Sequence, residues 1–210
     1  MDSQAWNRRY EGSELVWTAS PNRFLVQEAG HLPPGRALDV ACGEGRNAVW
    51  LAEAGWDVTA SDFSEVGLAK GARLADARGV FVKWVLADVR SHDAGRGAFD
   101  LVIVLYLHLQ AADRRSALHR AAAAVAPGGL LVRVGHDSSN LTEGHGGPQD
   151  PAILFTAEEV AAELPGLQIE RTERVRRPVD TPDGEVEAID ALVRARRPRE
   201  GEPPTARAGS

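Results

Sequence analysis

The sequence contains little cysteine, tyrosine or lysine, and it has no long apolar run. Cys42 is the only cysteine, which excludes a disulfide framework and a cysteine-rich zinc site. No segment approaches the roughly 20 apolar residues that a membrane-spanning helix needs. The first residues lack the basic start and apolar stretch of a signal peptide. Together these absences predict a cytoplasmic protein that does not enter a membrane.

Charge also limits the possible partners. The net charge of −6 argues against a nucleic-acid surface, because phosphate binding needs a basic face. Two groups of arginines nonetheless lie near the C-terminus, and they form either an anion or RNA site or solvated strand faces followed by a basic tail. Their members are Arg171, Arg174, Arg176, Arg177, Arg194, Arg196, Arg197 and Arg199. Residues 198–210 have almost nothing to bury and are predicted to be disordered.

Strand and helix patterns alternate along the chain. The predicted strands are 36–41, 56–60, 80–87, 99–105, 130–135, 167–175 and 185–196, and the predicted helices are 21–31, 45–54, 64–78, 112–126 and 156–164. Pro127-Gly128-Gly129 is expected to end the fourth of these helices, and the last two strands are expected to pair through Pro178–Gly184. The alternation predicts one α/β domain over residues 1–197, with an open, doubly wound, mostly parallel sheet.

A glycine-rich turn follows the first predicted strand. The sequence from Leu38 to Asn47 reads LDVACGEGRN, an apolar strand with one acid that leads into a helix. Glycines at such a junction allow close backbone approach to a ligand, and the helix N-terminus offers unpaired N–H groups. The G-x-G-x-x-A pattern alone fits any nucleotide-like cofactor.

Three carboxylates decide between cofactors. Asp39, Asp62 and Asp88 lie in or at the ends of the first three predicted strands, so all three are expected along one edge of the sheet. Asp62 is placed to accept from ribose hydroxyls and Asp88 from an adenine amine, while each acid alone is equally consistent with a helix cap. Three acids would repel a pyrophosphate but attract a sulfonium and an ammonium group, which favours S-adenosylmethionine over NAD.

These segments, together with Pro127-Gly128-Gly129, resemble the successive motifs of class I S-adenosylmethionine-dependent methyltransferases. The resemblance covers roughly residues 5–196, and Trp6-Asn7-Arg8-Arg9-Tyr10 makes the chain similar to the tellurite-resistance and thiopurine methyltransferase group. It implies a seven-stranded sheet with an antiparallel last strand, and an N-terminal helical cap, residues 1–34, over the cofactor. The chain departs from the family at Ala41, where glycine is usual.

The resemblance and the residue pattern give one set of predicted site residues. The predicted cofactor-binding residues are Trp17, Asp39, Ala41, Cys42, Gly43, Gly45, Asn47, Asp62, Phe63, Asp88, Val89 and Leu105. The predicted substrate-binding residues are Tyr10, Tyr106 and Asp137. For Cys42 a packing role is favoured over a nucleophilic one, because no basic residue in its motif would stabilise the thiolate.

The acceptor side is expected where the fourth and fifth strands end. His108 and His136 are candidate general bases there, or ordinary structural histidines. The long loop at 137–151 is interpreted as a lid over the acceptor or as a flexible excursion. The spacing of its histidines and acids matches no recognised metal site.

The sequence therefore predicts a methyltransferase that acts on a small molecule through oxygen, nitrogen, sulfur or a chalcogen anion, as a monomer or homodimer, without metal. One alternative is an NAD-dependent oxidoreductase, although neither Lys70 nor Lys83 follows a tyrosine at the Tyr-x-x-x-Lys spacing. The other is a non-catalytic cofactor- or RNA-binding protein that uses the C-terminal arginines.

Overall fold

The computed structural model describes residues 3–12, 14–182, 184–199 and 201–202. The helices are α1 Ser3–Tyr10, α2 Arg23–Ala29, α3 Arg46–Glu53, α4 Glu65–Arg78, α5 Ala111–Ala124, α6 Asn140–Glu143 and α7 Ala157–Ala162. The strands are β1 Arg36–Val40, β2 Asp57–Asp62, β3 Lys83–Leu86, β4 Phe99–Leu105, β5 Val125–His136, β6 Gln168–Thr181 and β7 Gly184–Arg196.

The seven strands form one sheet in the order β3-β2-β1-β4-β5-β7-β6. Every neighbouring pair from β3 to β5 is parallel, whereas β7 runs antiparallel to both β5 and β6. This confirms the predicted α/β class and the antiparallel last strand. The carboxyl ends of β1, β2, β4 and β5 therefore meet along one edge, which is where ligands bind in such sheets.

Two apolar layers cover the sheet. Helices α2, α3 and α4 pack on one face, around Leu25, Leu51 and Leu68. Helices α5 and α7 pack on the other face, around Leu118 and Val160. Strand β4 is buried on both faces from Leu101 onward, as its nearly uninterrupted apolar sequence predicts for a central parallel strand.

The fifth strand differs from its prediction. It begins at Val125 and runs through Pro127-Gly128-Gly129, which was expected to separate the helix from the strand. The pairing with β4 shifts register between Phe99 and Leu101, so the Pro-Gly-Gly segment lies in a bulge. Gly128 has a φ of 81°, a conformation that glycine adopts easily and that bulges often require.

The hairpin at the end of the sheet is also longer than predicted. Pro178 was expected in the connection, but it pairs with Glu187 inside the β6–β7 ladder. The strand β6 lies at the edge of the sheet, where the missing N–H of proline breaks no necessary hydrogen bond. The predicted disordered tail falls largely on residues 200 and 203–210, which are outside the described residues; Glu202 is described and pairs with Arg196 at 2.9 Å.

Candidate functional site

The glycine-rich loop joins the end of β1 to the start of α3. Gly43 and Gly45 have φ angles of 57° and 78°, which glycine adopts without steric cost. A Cβ atom on Gly45 would lie 2.4 Å from Cη2 of Trp84, so only glycine fits. Ala41 has a φ of 57° as well, a strain of about 1–2 kcal/mol for a residue with a side chain. Burial raises the pKa of the Cys42 thiol, which favours its packing role.

Asp39 lies in β1 just before this loop, and it is only 1% exposed. Its Oδ2 atom has no hydrogen-bond partner. Burial, followed by the repulsion of Asp62, raises the pKa of Asp39 to about 8. A buried carboxylate is stabilised when a cation reaches it. The ammonium group of S-adenosylmethionine supplies such a cation, so the residues of this loop fit that cofactor.

The Asp39→Asn variant should be more stable than the parent at neutral and alkaline pH. The folded protein holds the Asp39 proton up to about pH 8, whereas the unfolded chain releases it near pH 4 (about 3.9). The unfolded state therefore binds fewer protons between these values, and the stability of the parent falls as pH rises through this window. Thermal unfolding from pH 4 to pH 8.5 should show a Tm advantage of the variant that grows with pH. A constant Tm difference would contradict the assignment.

Asp62 ends β2 and braces the loop from the other side. Its Oδ2 atom accepts from the Gly43 N–H and its Oδ1 atom from the Ser64 N–H, both at 2.8 Å. Burial raises the pKa of Asp62 in spite of these hydrogen bonds. A carboxylate has about four acceptor positions, so Asp62 retains capacity for ligand hydroxyls while it fixes the loop.

Of the three predicted cofactor residues that follow β2 and β3, two line a common cavity and one does not. Phe63 and Asp88 line the same cavity, together with Ser3, Leu86, Ala87 and Arg90. The carboxylate of Asp88 forms a 2.5 Å ion pair with Arg90, whose hydrogen bonds lower the pKa of Asp88. Val89 does not lie in this cavity. It packs with the apolar cluster on the α5 face of the sheet, so its side chain is separated from Phe63.

A buried ion pair attaches the N-terminal segment to the loop. Nζ of Lys70, in α4, lies 2.9 Å from Oε1 of Glu44, and the two side chains are 5% and 3% exposed. The same carboxylate accepts from the N–H groups of Val16 and Trp17 at 3.1 and 3.2 Å. Lys70 also donates to the carbonyl of Glu14 at 2.6 Å. Residues 14–17 are therefore held over the glycine-rich loop.

Tyr10 and Trp17 both lie on the cofactor side of the domain. A Cβ atom on Gly43 would be 2.9 Å from the Tyr10 hydroxyl, and burial followed by Asp62 raises the pKa of Tyr10. The Tyr10 ring thus lies beside the loop, and its role in substrate binding stays a prediction. Trp17 is 43% exposed, and its ring stacks on the guanidinium of Arg9 with a 5.2 Å separation.

Two further predicted cofactor residues make structural contacts. Asn47 Oδ1 accepts from the backbone N–H of Asn22 at 2.8 Å. Asn22 in turn caps α2 by accepting from Phe24 N–H and Leu25 N–H. Leu105 ends β4 and is 8% exposed within the apolar cluster. Asn47 therefore couples α3 to the start of α2.

A polar cluster lies beyond the ends of β4 and β5. Tyr106 donates to Oδ2 of Asp190 at 2.8 Å, and Nε of Arg177 donates to the same oxygen at 2.8 Å. Nδ1 of His136 lies 3.2 Å from the other oxygen, Oδ1. The rings of Tyr106 and His136 are 5.2 Å apart. The backbone of Tyr106 has a φ of 54°, a strained conformation of the kind that concentrates at functional sites.

His108 lies next to this cluster, but its chemistry differs from that of His136. The two rings stack at 5.2 Å, and Nε2 of His108 accepts from the backbone N–H of His136 at 3.2 Å. Burial, and then the charges of Arg133 and His136, lower the pKa of His108 to about 3. A neutral imidazole whose lone pair already accepts a hydrogen bond is poorly placed to take a proton from an acceptor.

The loop at 137–151 folds against His136. Asn140 anchors it, because its Oδ1 accepts from Ile189 N–H at 2.7 Å and its Nδ2 donates to the Gly146 carbonyl at 2.8 Å. A Cβ atom on Gly147 would lie 2.8 Å from Nε2 of His136. Asp137 is 1% exposed and accepts from the N–H and hydroxyl of Ser139, so it braces the loop.

Sequence reasoning missed several residues that the fold brings to these sites. Asp190 and Arg177 come from β7 and β6, and Glu44 and Lys70 join the loop to α4. Arg133 is fully buried and donates to the carbonyls of Val104 in β4, Val134 in β5 and Leu107, the residue before His108. A charged residue in an otherwise apolar strand, such as Asp190 in AIDALV or Arg133 in LLVRV, was the available signal.

The middle of the chain is similar to known methyltransferases. Residues 37–129 match the family model described as a methyltransferase domain. Over 123 residues the chain is 37% identical to a demethylmenaquinone methyltransferase from Thermus thermophilus, which is 58% of this chain and 54% of that protein. Residues 37–129 are therefore similar to a methyltransferase domain, and the curated relatives that match part of the chain are methyltransferases. It spans about half the length of the curated relatives it matches.

Solved structures support the fold over nearly the whole chain. The N-methyltransferase NodS from Bradyrhizobium japonicum, in complex with S-adenosylhomocysteine, has a TM-score of 0.70 at 20% identity and covers 94% of this chain and 98% of its own. A protein studied for the conversion of a disulfide bond into a thioacetal group during echinomycin biosynthesis has a TM-score of 0.74 at 22% identity, covering 93% and 92%. At these identities the likeness concerns the methyltransferase fold.

Within the part of the chain that the structure describes, no group of three or more His, Cys, Asp or Glu side chains is arranged to hold a metal ion. None of the described helices is both long and apolar enough to cross a membrane.

Proposed function

We propose that this protein transfers a methyl group from S-adenosylmethionine to a small-molecule acceptor. The observation that carries the proposal is the buried Asp39 carboxylate beside the glycine-rich loop, whose Oδ2 atom has no hydrogen-bond partner. It lies in a segment that matches the methyltransferase domain model. When bound, the cofactor supplies an activated methyl group, which leaves its sulfur as the bond to the acceptor forms. Placing the acceptor in line accounts for much of such catalysis, about 7–11 kcal/mol in well-oriented pairs.

We assign roles to the chain's own residues on the same basis. Asp39 meets the cationic part of the cofactor, and Asp62 meets its ribose hydroxyls while holding Gly43. Phe63 and Asp88 contact the base in the cavity they share. Tyr10 and Trp17, with residues 14–17, cover the cofactor. Val89 packs on the opposite face and is assigned no contact.

The acceptor binds at the cluster around Tyr106 and His136. This cluster lies at the carboxyl ends of β4 and β5, beside the loop that leads from β1. The segment 137–151 acts as a lid, because its Gly147 rests on the His136 ring. His136 is the favoured base, since the lone pair of His108 already accepts a hydrogen bond.

The remaining proposals concern the extent of the domain, its location and its assembly. Residues 1–197 act as one domain, with 1–34 as the cap. A cytoplasmic monomer or homodimer that does not bind nucleic acid agrees with the net charge of −6 and with a single cysteine, Cys42. The C-terminal arginines support this view, because Arg171, Arg194 and Arg196 form ion pairs with Glu28 and Glu170.

Calorimetric titration with S-adenosylhomocysteine tests the proposal, with NAD as the parallel ligand. We expect micromolar binding of S-adenosylhomocysteine and no heat with NAD, because the acids at the sheet edge repel a pyrophosphate. Binding of NAD alone would make the oxidoreductase the better interpretation. RNA retention that is lost on replacement of the C-terminal arginines would support a binding protein.

A further inference from the structure

Asp190 is the most enclosed acid of the acceptor side, and its two oxygens have different partners. It lies in β7 and is 0% exposed. Oδ2 accepts from the Tyr106 hydroxyl and from Nε of Arg177, each at 2.8 Å. Oδ1 faces Nδ1 of His136 at 3.2 Å, and neither of these two buried atoms has a hydrogen-bond partner. The Tyr106 hydroxyl and Arg177 Nε are themselves 3.1 Å apart.

These partners keep Asp190 ionised. Burial would raise its pKa, but the nearby His136 ring, the charge of Arg177 and the Tyr106 hydroxyl together hold the pKa of Asp190 below its ordinary value. An ionised carboxylate has no proton to donate. The ring nitrogen that faces it must therefore carry the proton, so neutral His136 is protonated at Nδ1 and has its lone pair at Nε2.

We infer that Asp190 is a positioning residue that holds His136 as a base with its lone pair at Nε2, and that the acceptor carries a proton on the atom that is methylated. This inference rests on the proposed methyl transfer. The acceptor class is thus a hydroxyl, a thiol or a protonated amine, rather than an anion that has no proton to lose.

The proton transfer balances within the cluster. The acceptor's X–H proton moves to Nε2 of His136, and the electron pair of that bond stays on X, where it forms the bond to the incoming methyl group. The resulting imidazolium faces the Asp190 carboxylate and later gives its proton to water. The rings of Tyr106 and His108 also contact His136. The charge of Arg177 is paired with Asp190, and the charge of Arg133 lowers the pKa of His108.

The 137–151 segment controls how the acceptor can reach His136. Gly147 lies over the His136 ring, where a Cβ atom would be 2.8 Å from both Nε2 and Cδ2. Because the His136 side chain is only 10% exposed, we expect the acceptor to reach Nε2 when the 137–151 segment is displaced. Closure behind the acceptor would then exclude water from the proton-accepting nitrogen.

The Asp190→Asn variant tests the inference without any acceptor. The side-chain amide of Asn can donate to Nδ1, which would move the ring proton to Nε2. In ¹⁵N-histidine NMR spectra of the ligand-free protein we expect the Nδ1–H tautomer of His136 in the parent and the Nε2–H tautomer in the variant. Glu187→Gln, an exposed carboxylate on the same strand, is the matched control and should leave the tautomer unchanged. The same tautomer in the parent and in Asp190→Asn would overturn the positioning role.

Activity is measured with methyl-labelled S-adenosylmethionine and three probes: catechol, thiophenol and selenite. For the two protic probes, Asp190→Asn should lower turnover by about 10²–10⁴-fold, the usual contribution of a general base, with S-adenosylhomocysteine affinity within about twofold of the parent's. The inferred acceptor class would be overturned if, at pH 9, the protein methylated selenite in preference to catechol and thiophenol and Asp190→Asn did so at the same rate as the parent. If no probe is methylated, the His136 tautomer measured by NMR decides whether Asp190 has the positioning role. Failure of the parent to bind S-adenosylhomocysteine would instead count against the proposed function.

If Asp190→Asn does not fold, the His136→Gln variant replaces it. That variant must show the same loss of turnover while its affinity for S-adenosylhomocysteine is retained.

Discussion

Replacing Asp62 with alanine should reduce the affinity for S-adenosylhomocysteine by about 10²–10⁴-fold. The carboxylate holds the N–H groups of Gly43 and Ser64 at 2.8 Å each. We propose that the same carboxylate also accepts from two ribose hydroxyls of the ligand. Hydrogen bonds to a charged group contribute about 1.5–3 kcal/mol each, and losing these two corresponds to the stated factor because about 1.4 kcal/mol changes a dissociation constant tenfold. Calorimetric titration of the variant and the parent measures the loss directly.

Two further variants separate the causes of this loss. Asp57→Ala removes an exposed carboxylate from the start of the same strand and should leave the affinity unchanged. Asp62→Asn keeps one oxygen acceptor and should lose less affinity than Asp62→Ala. Near-normal affinity of Asp62→Ala would show that neither the braced loop nor a ribose contact depends on this side chain.

Most of the fold followed from local sequence patterns. The predicted bounds of β4, 99–105, are the observed ones. A run of seven residues with only one acid is typical of a parallel strand that is buried on both faces. The errors came from proline. Pro127 and Pro178 predict breaks when they are judged locally, yet both lie in strands, since a bulge and a sheet edge tolerate the missing N–H.

The sequence predicted the part of the candidate site whose residues lie close together along the chain. Asp39, Gly43 and Gly45 belong to one short motif, and Asp62 follows the next strand, so spacing alone groups them. The acceptor cluster joins Tyr106 to Asp190 across 84 positions of sequence. Such a pair depends on β7 being inserted between β5 and β6, an order that periodicity does not specify. The tertiary fold, rather than any motif, creates the environment of His136.

Lys70→Met should destabilise the protein by about 3–5 kcal/mol, the usual cost of removing one partner of a buried ion pair. The change leaves the Glu44 carboxylate, 3% exposed, without its cation and removes the hydrogen bond to the Glu14 carbonyl. Urea unfolding gives the free energy of unfolding. Tryptophan fluorescence reports on Trp17, whose backbone N–H is held by Glu44 and whose segment we expect to detach.

The matched control is Lys83→Met. This variant makes the same replacement at an exposed lysine on β3. Because Lys83 is exposed, we expect only a small decrease in the free energy of unfolding. Adding Glu44→Gln to Lys70→Met removes the uncompensated charge, and the double variant should recover part of the lost stability even though the segment remains detached. If Lys70→Met and Lys83→Met cost the same, the pair does not hold residues 14–17. If the expected difference is found, covering of the cofactor loop depends on an ion pair between residues 26 positions apart, and its strength sets how readily the N-terminal segment opens.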